Sequence, residues 1–262
     1  VIMEGEQEEH VFDLALLNRL REVVEKEGGE VIFKDSGLQD IGAIVVAEAI
    51  RGSAITTLDL EENQIGIQGG MALAGALESC KNLTVLNLND NELEDEAVVA
   101  VVKAVADRVK KLHINCNKIS NEGAKEIFRT LSSVGQVEMI DFGGNNIGDG
   151  SAEAIAEFLA KSESIRHFET DANEFTSGGA GYLFEALKSN KAIRHVNLHC
   201  NQLDDSSADV IFESFVANPG YVLNIADNEF SPQALDELRS RLAKAVAGRI
   251  TLIKFSTDEN GN

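Results

Sequence analysis

The sequence has few cysteines, few basic residues and no long apolar run, and each scarcity excludes a class of protein. Cys80, Cys116 and Cys200 are three cysteines, an odd and sparse number that argues against a disulfide framework. Without a run of about 18 or more apolar residues, no transmembrane helix is expected. Residues 1–9 are acidic and lack the basic-then-apolar order of a secretory signal, which favours a cytoplasmic location, with the nucleus as the alternative.

Basic residues are heavily outnumbered by acidic ones. The chain carries 23 Lys and Arg against 44 Asp and Glu, a formal net charge of −21. Repulsion from phosphate groups argues against nucleic acid and anionic membrane as partners. The charge favours a partner with a basic surface, and the alternative is that acidity serves solubility alone.

One pattern recurs through most of the chain. Residues 55–65 and 83–93 are two copies of the frame L-x-x-L-x-L-x-x-N-x-L, in which the asparagine closes the motif. The asparagines of the seven regular copies lie 26 to 28 residues apart and are Asn63, Asn91, Asn117, Asn145, Asn173, Asn201 and Asn228. A weaker first copy at 31–38 has Ser36 in the asparagine position. Self-similarity at this period predicts a solenoid.

The frame has a direct physical interpretation. Leu58 and Leu60 are two residues apart, so they share one face of a short strand, and Asp59 lies on the other face. The asparagine follows the strand, where its amide can pair with the backbone of the turn and form a ladder between repeats. Apolar residues three and four apart, as in 150–159, predict a helix after each strand.

A strand, turn and helix in about 28 residues resembles the ribonuclease-inhibitor-like subfamily of leucine-rich-repeat proteins. That resemblance implies an α/β fold, a leucine-rich-repeat solenoid shaped as a right-handed horseshoe, with parallel strands on the concave face and helices on the convex face. We expect an N-terminal helical cap over 1–30, about eight repeats over 31–248, and a C-terminal strand with a loose tail over 249–262. The cap helix would run from Val11 to Val24, the last helix over 232–247, and the last strand over 250–255.

Candidate binding residues are the polar side chains on the outward face of the strands. Among the strand centres the acids are opposed by one base, Lys34. We expect this acidic floor to bind a basic protein partner through Asp59, Glu61, Glu62, Asn87, Asn89, Asp90, His113, Asn115, Asp141, Glu169, Asp171, Asn197 and His199. A basic rim precedes three of the strands and is either a second surface or a set of ordinary solvated charges: Lys110, Lys111, Arg166, His167, Arg194 and His195.

Motifs for catalysis or metal binding were not found. His113 and Cys116 lie three repeats from His199 and Cys200, at least about 14 Å away by strand spacing, so the two pairs cannot share a metal ion. The sequence has no phosphate-binding loop, HExxH motif or nucleophile elbow. We therefore predict a protein that is not an enzyme and has no catalytic residues, metal or cofactor.

The predicted function is a protein–protein interaction module, a scaffold, adaptor or inhibitor that is monomeric alone. One alternative comes from residues 27–38, which resemble a segment of the Ran GTPase-activating proteins. That resemblance implies a regulator of a small Ran-like GTPase, acting through an asparagine that positions the GTPase's own glutamine. The residue before the ladder asparagine is never an asparagine here, so no active residue is transferred. A further alternative is an actin-cytoskeleton-associated role, similar to the repeat half of tropomodulin.

Overall fold

A single parallel sheet runs the length of the protein. The computed structural model describes residues 14–26, 29–134, 136–245 and 253–255. Within these ranges nine strands pair side by side in chain order. They are β1 Glu30–Ile32, β2 Thr57–Asp59, β3 Val85–Asn87, β4 Lys111–His113, β5 Met139–Asp141, β6 His167–Glu169, β7 His195–Asn197, β8 Val222–Asn224 and β9 Ile253–Lys254.

A helix precedes β1 and one lies between each pair of successive strands. The helices are α1 Leu14–Lys26, α2 Gln39–Ile50, α3 Ile67–Leu77, α4 Glu94–Val105, α5 Asn121–Val134, α6 Asp149–Lys161, α7 Ser177–Ser189, α8 Ala208–Ala217 and α9 Pro232–Ala245. Neighbouring helices pack against each other along the series. Packed helices need about 8–10 Å between axes and strands only about 4.8 Å. The helices therefore take the outer arc, and the sheet lines the concave side, as the sequence predicted.

The core lies between the sheet and the helices. The central residue of each strand is buried and in register with its neighbours, forming the row Val31, Leu58, Leu86, Leu112, Ile140, Phe168, Val196, Leu223 and Ile253. In the middle repeats this core is aromatic. The rings of Phe128 and Phe142 are 5.1 Å apart between centroids, and Phe142 lies at the same distance from Phe168. The two-residue alternation in the sequence thus places pairs of apolar side chains such as Leu58 and Leu60 into the core.

The predicted asparagine ladder is confirmed by its hydrogen bonds. Asn145 is buried, and its Oδ1 accepts from the backbone N–H of Asn117 and of Ile119, both at 2.9 Å. Its Nδ2 donates to the carbonyls of Ile114, Phe142 and Gly143. The other six ladder asparagines likewise donate to carbonyls of their own turn and of the preceding repeat. Each side-chain amide therefore forms hydrogen bonds with backbone N–H and carbonyl groups that have no backbone partner within the turn.

A second ladder, which the sequence analysis did not identify, caps the helices. Asp149 at the start of α6 accepts from the backbone N–H of Thr176 at 2.9 Å. Thr176 in turn is the N-cap of α7, and its hydroxyl accepts from Gly178 N–H. Equivalent bonds run from one repeat to the next at Asp40, Asp95, Asn121 and Asp205. A side chain in the first turn of one helix thus orients the residue that begins the next helix.

Replacing Asp149 with alanine should lower the free energy of unfolding by roughly 1 kcal/mol, the usual cost of a lost helix cap. The substitution removes the acceptor for Thr176, which holds the beginning of α7. Urea unfolding of wild type and variant measures the effect. Glu153→Ala, an exposed carboxylate on the same helix, is the matched control and should change stability much less. Equal losses in both variants would contradict the capping role.

The two ends only partly fall within the described residues. α1 packs against α2 and buries Val24, and the predicted helical residues 11–13 lie outside the described ranges. α9 extends to Ala245, and the predicted helical residues 246–247 also lie outside those ranges. Of the predicted strand over 250–255, β9 covers Ile253–Lys254, and residues 250–252 are outside the described ranges. None of the helices in the described ranges has the length and hydrophobicity needed to span a bilayer.

Candidate partner-binding face

Three rows of side chains lie on the concave face of the sheet, and two of them contain the predicted binding residues of the strands. The first row follows the strand register through Ile32, Asp59, Asn87, His113, Asp141, Glu169, Asn197, Asn224 and Lys254. The second row lies two residues later, where backbone hydrogen bonds keep the same alignment, and contains Lys34, Glu61, Asn89, Asn115, Gly143, Asp171, His199 and Ala226. The predicted binding residues fall in these rows, except Glu62 and Asp90. Those two residues are exposed in the following turn, with φ of 58° and 54°.

At the N-terminal end of the face one lysine is paired with two of the acids. Lys34 Nζ lies 2.9 Å from Glu61 Oε1 and 3.2 Å from Glu62 Oε1. Asn87 also donates to Glu61, at 2.8 Å. The hydrogen bond from Lys34 lowers the pKa of the Glu61 carboxyl. Glu61 and Lys34 therefore link the first two repeats.

In the middle of the face lie three acids with a different environment, which we call the central carboxylates: Asp141, Glu169 and Asp171. Asp141 Oδ2 lies 3.8 Å from His113 Nδ1, and Glu169 Oε1 lies 3.4 Å from His195 Nε2. Among the described residues no lysine or arginine forms an ion pair with any of the three. The side chains of Asp141 and Glu169 are only 17% and 16% exposed.

Burial changes the titration of this group. It raises the pKa of the Glu169 carboxyl to about 7, and the neighbouring charges of Asp141 and Asp171 act in the same direction, against a hydrogen bond from Asn197. Burial also raises the pKa of Asp171. At Asp141 burial is outweighed by hydrogen bonds from His113, the Gly143 N–H and Asn115, and the pKa is lowered. The central carboxylates therefore do not ionise together.

Two histidines lie beside Glu169, and the pKa of one of them, His195, is shifted. The rings of His167 and His195 stack with centroids 5.9 Å apart and planes 25° from parallel. Burial lowers the pKa of His195, with smaller contributions from His167 and Lys254. These two histidines were predicted in the basic rim and Glu169 in the acidic floor. The structure brings them together, because His195 lies two residues before the β7 neighbour of Glu169.

Several side chains of the predicted basic rim form ion pairs or hydrogen bonds with nearby residues. Lys110 Nζ forms an ion pair with Glu138 at 3.1 Å. The guanidinium groups of Arg166 and Arg194 donate to backbone carbonyls within three residues of themselves. These contacts support the alternative that the rim consists of ordinary charges at strand ends.

The glycine pair after β5 makes room for its neighbours. A Cβ on Gly143 would lie 2.7 Å from Asn115 Nδ2 and 3.0 Å from Asp171 Oδ1. Gly144 has φ of 60°, and a Cβ there would meet Cys116 Sγ at 2.5 Å. The absence of side chains at these two glycines allows polar side chains from both adjacent repeats to approach each other.

The cysteines show no sign of forming a site. Cys116 and Cys200 are exposed at equivalent turn positions, with φ of 50° and 53°, and Cys80 is buried. Burial raises the pKa of the Cys116 thiol to about 11, and nearby carboxylates add to the shift, so the thiol is protonated at neutral pH. Within the described ranges, no group of three or more His, Cys, Asp or Glu side chains is arranged to hold a metal ion.

The repeat geometry agrees with comparisons to known proteins. Residues 55–74, 79–102, 109–128 and 138–156 match the sequence profile of the leucine-rich repeat. The chain is a leucine-rich-repeat protein. None of the curated protein sequences matches this leucine-rich-repeat protein over its length.

Solved structures share the fold at low sequence identity. The chain is similar to the structure of leiomodin-1 actin-binding site 2, with 18% identity and a TM-score of 0.50, over 60% of this chain and 89% of that one. It is also similar to the tropomodulin C-terminal domain of Caenorhabditis elegans, with 16% identity and a TM-score of 0.46, over 60% and 93% of the two chains. At such identities the leiomodin-1 similarity indicates a shared fold.

Proposed function

We propose that this leucine-rich-repeat protein is a non-catalytic protein-binding module that holds a basic segment of its partner on the concave face. The observation that supports it is the group of central carboxylates, which lacks lysine or arginine partners within the described residues. Burying acidic groups without a cation costs stability, so a partner cation there would regain interaction energy. Glu61, by contrast, already has Lys34.

The proposed binding site is the central part of the predicted set of binding residues. Of the predicted binding residues, the central carboxylates and their neighbours His113, Asn115, Asn197 and His199 lie on four consecutive strands, β4 to β7, and the turns that follow them. Asp59, Glu61, Glu62, Asn87, Asn89 and Asp90 belong to the N-terminal part, where Lys34 opposes the acids. A basic partner would be attracted by the overall charge of −21 and would lose affinity as salt rises.

The test is a charge-neutralised variant of the central carboxylates, Asp141→Asn with Glu169→Gln and Asp171→Asn. Its matched control removes the same three charges from the outer helices: Glu96→Gln, Glu153→Gln and Glu157→Gln, all exposed. Affinity capture from native lysate with wild type and both variants, read by mass spectrometry, finds the partners that depend on the concave face.

A purified partner from that experiment should bind the central variant at least about tenfold more weakly than wild type, and the control about as well as wild type. Isothermal titration at two salt concentrations measures both affinities. A partner that binds wild type and central variant equally, or one with an acidic binding surface, would overturn the proposal.

A second candidate partner is actin, because leiomodin-1, whose actin-binding site 2 shares the fold, covers 60% of this chain. Co-sedimentation of the purified chain with actin filaments tests this. If actin is bound, the central variant and its control also decide whether the concave face is responsible. Wild-type chain that stays in the supernatant at high filament concentration would exclude actin filaments as a partner.

The GTPase-regulator alternative stays a prediction from residues 27–38, and no described contact adds to it. The residues at the turn position before the ladder asparagine include Glu62, Cys116 and Ala172, none of which supplies an amide. Mixing the chain with GTP-loaded Ran and measuring phosphate release tests the alternative directly.

A further inference from the structure

The centre of the concave face combines carboxylates with a stacked pair of histidines. We propose that the central carboxylates together with His167 and His195 form a proton-operated switch, which sets how much negative charge the face offers to a basic partner. The consequence for binding rests on the proposed function. The titration itself is a property of the chain alone.

Every strand packed around Glu169 contributes groups to the switch. The titratable groups nearest Glu169 are Asp141 from β5, His167 and Asp171 from β6 and its turn, and His195 from β7. Next to these, His113 from β4 contacts Asp141, His199 after β7 acts on Asp171, and Lys254 from β9 acts on His195. Glu169 lies between the other two acids and contacts His195 at 3.4 Å. Asp171 is held by Asn197, whose amide donates at 3.0 Å.

Two protonation steps act in the same direction. Three carboxylates close together and mostly buried repel each other, so one of them retains its proton to a higher pH than an isolated acid. Glu169 is that group, and burial raises its pKa to about 7. On further acidification His195, whose pKa burial lowers, gains positive charge beside the same acids. Acidification therefore makes the centre of the face less negative at both steps, and a basic partner should be held more weakly.

The first test uses the whole chain without a partner. Carboxyl-carbon NMR across pH 3 to 9, with the Glu169 signal assigned by its absence in Glu169→Gln, should give a Glu169 midpoint near 7. Glu153→Gln removes an exposed carboxylate from the outer helices and should leave that midpoint unchanged. A Glu169 midpoint between 4 and 5, the ordinary range of a glutamate, would overturn the switch.

The second test uses a hexalysine peptide as a probe at low ionic strength. Wild type should bind it more tightly at pH 8 than at pH 6. The ratio of the wild-type affinities at pH 8 and pH 6 should be about fivefold larger than the same ratio for Glu169→Gln. A factor of about five is roughly the effect of one added charge near a cation in water. Identical pH dependence in both proteins would overturn the switch. If Glu169 titrates near 7 but hexalysine binds at neither pH, the switch stands and the proposed function fails. If hexalysine binds wild type but not the central variant, and Glu169 of the wild type has a midpoint between 4 and 5, the proposed function stands and the switch fails.

Discussion

Replacing Asn145 with alanine should lower the free energy of unfolding by roughly 3 kcal/mol. The side chain makes five hydrogen bonds, two accepted and three donated, and is 5% exposed. Alanine leaves the N–H groups of Asn117 and Ile119 without their partner in the interior. A buried polar group without a partner costs about 1–3 kcal/mol, and two are affected at once. Thermal and urea unfolding of the purified chain measure the loss.

The adjacent residue supplies the matched control. Asn146 has the same side chain but is exposed, and its backbone N–H, which bonds to Ile119, is unaffected by a side-chain change. Asn146→Ala should therefore change the free energy of unfolding by less than about 0.5 kcal/mol. Similar losses at both positions would contradict the ladder and indicate a general sensitivity of this turn.

Glu169→Gln should make the protein more stable at alkaline pH, by roughly 1–3 kcal/mol. The folded chain raises the pKa of this carboxyl from 4.5 to about 7, through burial first and then the charges of Asp141 and Asp171. Each pKa unit corresponds to about 1.4 kcal/mol of free energy. Between pH 4.5 and 7 the folded state holds a proton that the unfolded state has released, so wild-type stability falls as pH rises through this window.

Glutamine does not titrate, so the variant avoids the cost of ionising a buried carboxyl. The difference in free energy of unfolding between variant and wild type should increase from pH 4.5 to 7 and then remain constant. Urea titrations at several pH values measure it. Glu153→Gln should give a curve parallel to wild type, because Glu153 is exposed. A Glu169→Gln curve that is also parallel to wild type would mean that Glu169 ionises as it does in the unfolded chain.

Binding of basic partners and stability oppose each other at this position. The ionised form of Glu169 is the one that attracts a cation, and it is also the form that the fold disfavours. The glutamine variant should be more stable above pH 7 and bind hexalysine less tightly. Such a trade is common where a binding site retains unpaired buried groups.

The repeat could be predicted from the sequence because each of its requirements is local. Leu58 and Leu60 are buried and Asp59 lies on the opposite face, since alternation along a strand fixes the side of every residue. The ladder asparagines were predicted as structural for the same reason, and their hydrogen bonds confirm it. A single copy of this pattern would be weak evidence, but seven copies at a regular spacing are strong evidence. The spacing alone therefore predicted the fold and the residues that lie on the concave face.

Apart from the asparagine ladder, side-chain contacts between neighbouring repeats were not predicted. The capping ladder went unrecognised because Asp149 and Thr176 are 27 residues apart, although a recurring acid or amide at the first helical turn was a signal that could have revealed it. Lys34 appeared as a lone base, yet its length lets it reach two acids of the next repeat. Separation along the chain gives no measure of such distances, which depend on how side chains cross from one strand to another.

The amino-acid sequence by itself determined the architecture of this leucine-rich-repeat protein, the polar composition of its concave face and the absence of recognisable catalytic motifs. Only the tertiary structure decided which acids on that face are neutralised and which are not. The physical reason is that ionisation depends on burial and on charges within a few ångströms. Glu61 and Glu169 occupy similar outward positions in the sequence, but Lys34 lies beside one, and two acids and His195 surround the other.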